Sequence, residues 1–106
     1  MISQQTIDEA VRLLVAAAQP TKVILFGSYA RAEASEDSDL DFLVIVPSLT
    51  SKRQEMARLR RALRPLRVSA DVLVASTAEV EDWGHLPSTT LYWALNEGKV
   101  LHEAAH

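Results

Sequence analysis

The chain contains no cysteine, so neither a disulfide framework nor a thiolate metal site is open to it. Glycine and proline are sparse, at three and four residues, and no internal repeat or low-complexity segment is present. No apolar run approaches the roughly 20 residues that span a bilayer. The opening Met1-Ile2-Ser3-Gln4-Gln5 lacks the basic start and long apolar stretch of a secretory signal. These absences point to a cytoplasmic protein with no membrane segment.

What is present is ordinary for a globular domain: 106 residues, 48% hydrophobic and 24% charged. That length accommodates one domain, residues 1–106, with a real core. The net charge of −3 conceals a segregation. Seven basic residues (Lys52, Arg53, Arg58, Arg60, Arg61, Arg64 and Arg67) stand against Glu55 alone, while the remainder is strongly acidic. The basic segment has no aromatic residue and the domain is acidic overall, which argues against a nucleic-acid surface. A solvated helix face or a surface for an acidic partner protein fits better.

Hydrophobic periodicity predicts the order α-β-α-β-α-β-α. Ile7, Val11, Leu14, Val15 and Ala18 recur at helical spacing, Thr6-x-x-Glu9 reads as a capping box, and Pro20 stops the helix. Lys22–Phe26, Leu40–Val46 and Val68–Ala75 read as strands, and Tyr29–Glu33 as a short helix. Ser51–Leu63 is a second amphipathic helix. A turn or short helix runs from Ser76 to Trp83, and a last helix, Thr89–Asn96, is expected to be capped by Ser88 and followed by Gly98. Val100-Leu101 could add an edge strand. The helix between the second and third strands is long enough for a crossover, so those two should be parallel. The short connection between the first two allows antiparallel pairing. The expected class is α/β (α+β): a small mixed sheet of three to four strands with helices packed on it.

The chemistry concentrates between two apolar runs, in Gly27-Ser28, ten residues, then Asp39-Leu40-Asp41. A strand ending in Gly-Ser at a helix start offers backbone N–H groups to a phosphate, although a Ser N-cap explains the pair equally simply. Asp-x-Asp opening a strand turns two carboxylates the same way. At 4 Å and an effective dielectric near 20, they repel by about 4 kcal/mol. A divalent cation removes that repulsion, and Mg²⁺ favours a few carboxylates plus substrate phosphates. Asp71 interrupts an otherwise apolar strand, where an unpaired buried carboxylate is costly. If that strand lies beside Leu40–Val46, Asp71 can join Asp39 and Asp41. Three carboxylates beside a phosphate cradle suit two-metal transfer chemistry on a nucleoside triphosphate. Arg31 could face phosphate or pair with Glu33 or Glu36.

The pattern Gly27-Ser28-x(10)-Asp39-x-Asp41, with Asp71 later, resembles the DNA polymerase beta-like nucleotidyltransferase superfamily. Phe26-Gly27-Ser28-Tyr29-Ala30-Arg31 through Val46 is similar to the minimal nucleotidyltransferases of the MntA type. That resemblance implies a nucleotidyltransferase fold, with Asp39, Asp41 and Asp71 as metal ligands and catalytic residues for two Mg²⁺ ions. Gly27 and Ser28 would bind the phosphates of ATP. It implies transfer of AMP to a hydroxyl, with pyrophosphate leaving, and a HEPN-type toxin as partner, modified on a tyrosine. Two alternatives stand beside it: a binding module that neutralises a partner by contact, and a small-molecule modifier of the antibiotic nucleotidyltransferase kind. The family usually has glycine after the arginine of this motif, where this chain has Ala32; alanine is strained there at positive φ and favoured if the position is helical.

His85, His102 and His106 are too scattered for a metal site. Trp83, Tyr92 and Trp93 read first as core, yet Leu91, Trp93 and Leu95 cannot share one helix face. Some apolar surface should therefore remain exposed, as at a protein interface or in an oligomer.

Overall fold

The computed structural model describes residues 2–104; His106 lies outside them. Four strands form one mixed sheet: β1 (Lys22–Phe26), β2 (Leu40–Val46), β3 (Ala70–Ser76) and β4 (Lys99–Glu103), in the order β3-β2-β1-β4. Four helices pack on it: α1 (Gln4–Ala18), α2 (Lys52–Ala62), α3 (Thr77–Trp83) and α4 (Thr90–Glu97). β1 and β2 are antiparallel, β2 and β3 parallel across the α2 crossover, and β4 returns antiparallel to β1. The expected class, pairing directions and edge strand are all present. Among the described residues, no helix is long and apolar enough to cross a membrane.

Period-two alternation divides the strands between two cores. Val23, Leu25, Leu40, Phe42, Val44, Val72 and Val74 pack with Ile7, Leu14 and Leu59 of α1 and α2. Ile24, Leu43, Ile45 and Ala75 pack on the opposite face with Ala94 of α4. Gly98 lets the end of α4 press on β1, because a Cβ there would lie 3.0 Å from the Leu25 carbonyl oxygen and closer still to Ile24.

The helix ends correct several sequence expectations. Ser3, not Thr6, caps α1: its Oγ accepts the Thr6 N–H at 3.2 Å. A hydroxyl one turn earlier won because Gln4 and Gln5 extend the helix without cost. Thr89, rather than Ser88, caps α4, accepting the Tyr92 N–H at 3.1 Å while donating to the Leu86 carbonyl at 2.8 Å. The full capping box is at α3, where Ser76 and Glu79 bond reciprocally. β3 starts at Ala70, two residues late, because Arg67 turns the chain at φ 52°. Trp83 and Trp93 are half exposed, at 54% and 50%, as the helical wheel required of part of this surface.

Candidate active site

At one end of the sheet three strands bring the motif together. β1 ends at Phe26, which pairs with Asp41 at the start of β2. Asp41 in turn pairs with Asp71 at the start of β3. Gly27, Asp41 and Asp71 therefore form a row across adjacent strand ends, and parity places both acids on the α4 side of the sheet.

Gly27 has φ +75°, a conformation that L side chains resist. A Cβ there would also lie 3.2 Å from the Asp41 carboxyl carbon and overlap its Oδ2. The glycine is thus required twice over, by its backbone angle and by its closeness to the first acid of the row. Beyond it the chain makes a single 3₁₀ turn, Gly27–Tyr29, instead of the expected helix Tyr29–Glu33. The Gly27 carbonyl accepts from the Ala30 and Arg31 N–H groups at 3.1 and 3.2 Å, and the Ser28 carbonyl from Glu33 at 2.9 Å. So short a turn supplies little macrodipole; what it offers an anion is local N–H and hydroxyl groups. Tyr29 anchors it, its hydroxyl oxygen accepting the Ile2 N–H at 3.0 Å.

Ala32 closes the turn at φ +58°. Of the two possibilities posed by the sequence, positive φ is the one realised, and alanine holds a left-handed position at a cost of about 1–2 kcal/mol.

Burial separates the three aspartates. Asp41 is partly buried, whereas Asp39, in the loop before β2, and Asp71 are exposed. The expectation of a costly buried carboxylate at Asp71 is therefore corrected: the strand begins only one residue earlier, so its side chain stays at the solvated sheet end. Burial pushes the Asp41 carboxyl above its ordinary value, the negative charges of Asp71 and Asp39 push it further, and Arg31 partly offsets them. Arg31 pairs with Glu33 at 3.1 Å and with Glu97 of α4 at 3.7 Å. Glu97 was not foreseeable from local spacing, because only the packing of α4 on β1 brings it to this corner.

Among the described residues, no three His, Cys, Asp or Glu side chains converge on one point as a ready-made metal cage. The donor set nonetheless suits Mg²⁺, which is commonly held through one or two carboxylates completed by substrate phosphates. Asp41 with Asp71 beside it, and Asp39 two residues before, are hard oxygen donors whose mutual repulsion a cation would relieve.

A sheet of this order, with a Gly-Ser turn facing strand-end aspartates, is the arrangement of a nucleotidyl-transfer domain. The sequence profile of the nucleotidyltransferase domain matches residues 6–91, and the chain belongs to that family. It is 35% identical over 54 residues to "Putative protein adenylyltransferase MJ0141" of Methanocaldococcus jannaschii. That match covers 51% of this chain and 54% of the relative, so the chain spans about half of that protein. A crystal structure of a "putative nucleotidyltransferase" from Sulfolobus solfataricus superposes with a TM-score of 0.64 at 18% identity, covering 93% of this chain and 78% of that one. The MntA–HpeT toxin–antitoxin, crystallised with two aspartate-to-glutamate substitutions, gives 0.62 at 16% identity, covering 92% and 73%. A toxin–antitoxin with AMP-PNP gives 0.56 at 19% identity, covering 92% and 73%. The recognition made from Phe26–Arg31 and Asp39–Asp41 is borne out.

Proposed function

We propose that this nucleotidyltransferase domain transfers AMP from ATP to a hydroxyl group, a tyrosine of a HEPN-type partner protein being the acceptor. The observation that carries the chemistry is the row Gly27–Asp41–Asp71 across three strand ends, with Asp41 destabilised as a carboxylate by its acidic neighbours. The acceptor rests on resemblance to the MntA type and on the toxin–antitoxin neighbours.

In this reading Asp39, Asp41 and Asp71 hold Mg²⁺, which would neutralise charge on the triphosphate and on the attacking and leaving oxygens. Gly27 leaves room for the outer phosphates, and the Ser28 hydroxyl donates to them. Arg31 adds positive charge at the same corner, shared with Glu33 and Glu97. Asp71, exposed at the β3 end, accepts the acceptor hydroxyl's proton as its oxygen bonds to the α-phosphorus and the bond to pyrophosphate breaks.

The test is incubation of the chain with α-labelled ATP, Mg²⁺ and the HEPN-type protein encoded beside it, against the double variant Asp39→Asn plus Asp41→Asn. Label on a partner tyrosine that disappears with the double variant is the expected result. Neutralisation of the partner by the double variant, with no label in either case, would establish binding by contact instead.

A further inference from the structure

The strand that carries Asp71 is also the outer strand of the sheet, and its free edge is unguarded. The Leu40 N–H donates to the Ser69 carbonyl at 3.0 Å. With Leu40 in register with Ala70, that bond fixes the phase of the parallel ladder. Odd-numbered residues of β3 bond to β2, and the N–H and C=O groups of Val72 and Val74 point outward. No backbone partner for these outward groups is found among the described residues. The opposite edge is treated differently: β4 carries Lys99, His102 and Glu103, and its pairing with β1 shifts register between Val23 and Ile24. Charges and bulges are the usual means of discouraging further pairing. From Val72 to Ser76, β3 has neither charge nor proline.

Two grooves flank this edge. One, of about 250 Å³, is lined by Leu73 with Met56 of α2 and Trp83 and Leu91 of α3 and its successor segment. It meets a second, of about 480 Å³, through Lys52 and Met56, with Arg53 and Arg60 on the latter's rim. Neither arginine has an ion pair among the described residues, unlike Lys52 and Arg58 on the same helix.

We propose that an extended segment of a partner protein adds to β3 as the next strand of the sheet. Its backbone would pair with Val72 and Val74, its apolar side chains would fill the groove beside Met56, Leu73, Trp83 and Leu91, and its acidic residues would face Arg53 and Arg60. A ladder of outward N–H and C=O groups selects a polypeptide, since nucleic acid offers no matching backbone. A second copy of this chain is disfavoured by charge. Antiparallel β3–β3 pairing in one continuous sheet sets both α2 helices on the same face, arginines toward arginines. Because β3 begins at Asp71, a strand laid along it ends at the carboxylates and would deliver a hydroxyl there; this last step rests on the transferase reading above.

Amide exchange of Val72 and Val74, compared between the full chain alone and its complex with the HEPN-type protein, tests the proposal. Exchange of both should slow at least about tenfold in the complex, with the β4 edge unchanged. Leu73→Lys should weaken the complex at least about tenfold by setting a charge on the edge; if that variant fails to fold, exchange in the native chain still decides. No complex, unslowed exchange in the complex, or slowing that appears in the chain alone as its concentration rises would each overturn the proposal. Label transfer with an unprotected edge would overturn strand addition and leave the transferase reading intact. A protected edge without transfer would do the reverse.

Discussion

On the face covered by α1 and α2, the middle strands present Leu40, Phe42, Val44, Val72 and Val74, all sealed from solvent. On the other face the same strands present Asp41, Leu43 and Ile45, and Asp71, Leu73 and Ala75. There, apolar packing gives way to carboxylates within two residues. One strand thus supplies a closed core on one side and an open polar end on the other, because neighbouring side chains point in opposite directions. Stability and chemistry are separated by a single step in sequence, so substitutions one residue apart should report on different properties.

Phe42→Ala should break the closed face, costing about 3–5 kcal/mol, measurable as a lower midpoint in urea unfolding. Gly27→Ala, at the boundary, should cost about 1–3 kcal/mol through its positive φ. It should also abolish AMP transfer, since the added methyl displaces the Asp41 carboxyl; thermal unfolding with the labelled-ATP assay separates the two effects. Ala32→Gly should act oppositely, gaining about 0.5–1 kcal/mol once glycine's greater unfolded-state entropy is set against the relieved strain. Its signature is a higher Tm.

The smallest stability effect belongs to Asp41→Asn, whose activity should nevertheless be lost. Folding raises the Asp41 pKa, so the carboxylate costs stability above its unfolded value, increasingly until the higher folded value is passed. The variant should therefore melt slightly higher than the parent at pH 7. The difference should vanish below about pH 4, where both states of the parent hold the proton. A parent that matches the variant at both pH values would show that the two faces are not separated in this way.

Much of this was legible from residues alone. The runs Val23–Phe26 and Leu40–Val46 left little choice but strands, and the length of the α2 segment required a parallel crossover. Gly27, Asp41 and Asp71 were readable as a site because glycine and aspartate are poor strand residues lying beside good ones. What was hidden depended on distant contacts. The choice of Thr89 over Ser88 as a cap follows from how the preceding loop packs, and the pairing of Arg31 with Glu97 follows from α4 lying on β1. The exposure of Asp71 depended on where Arg67 turns the chain, a matter of two residues that composition does not resolve.

The pairing of Lys22 with Glu103 joins nearly opposite ends of the chain. During synthesis, β1 emerges early and can find β2 soon after, but its other edge has no partner until β4 leaves the ribosome. For most of translation the apolar strand Val23–Phe26 waits half-paired, and the nascent chain depends on α1, made just before it, and on chaperones to keep that edge from the wrong neighbour.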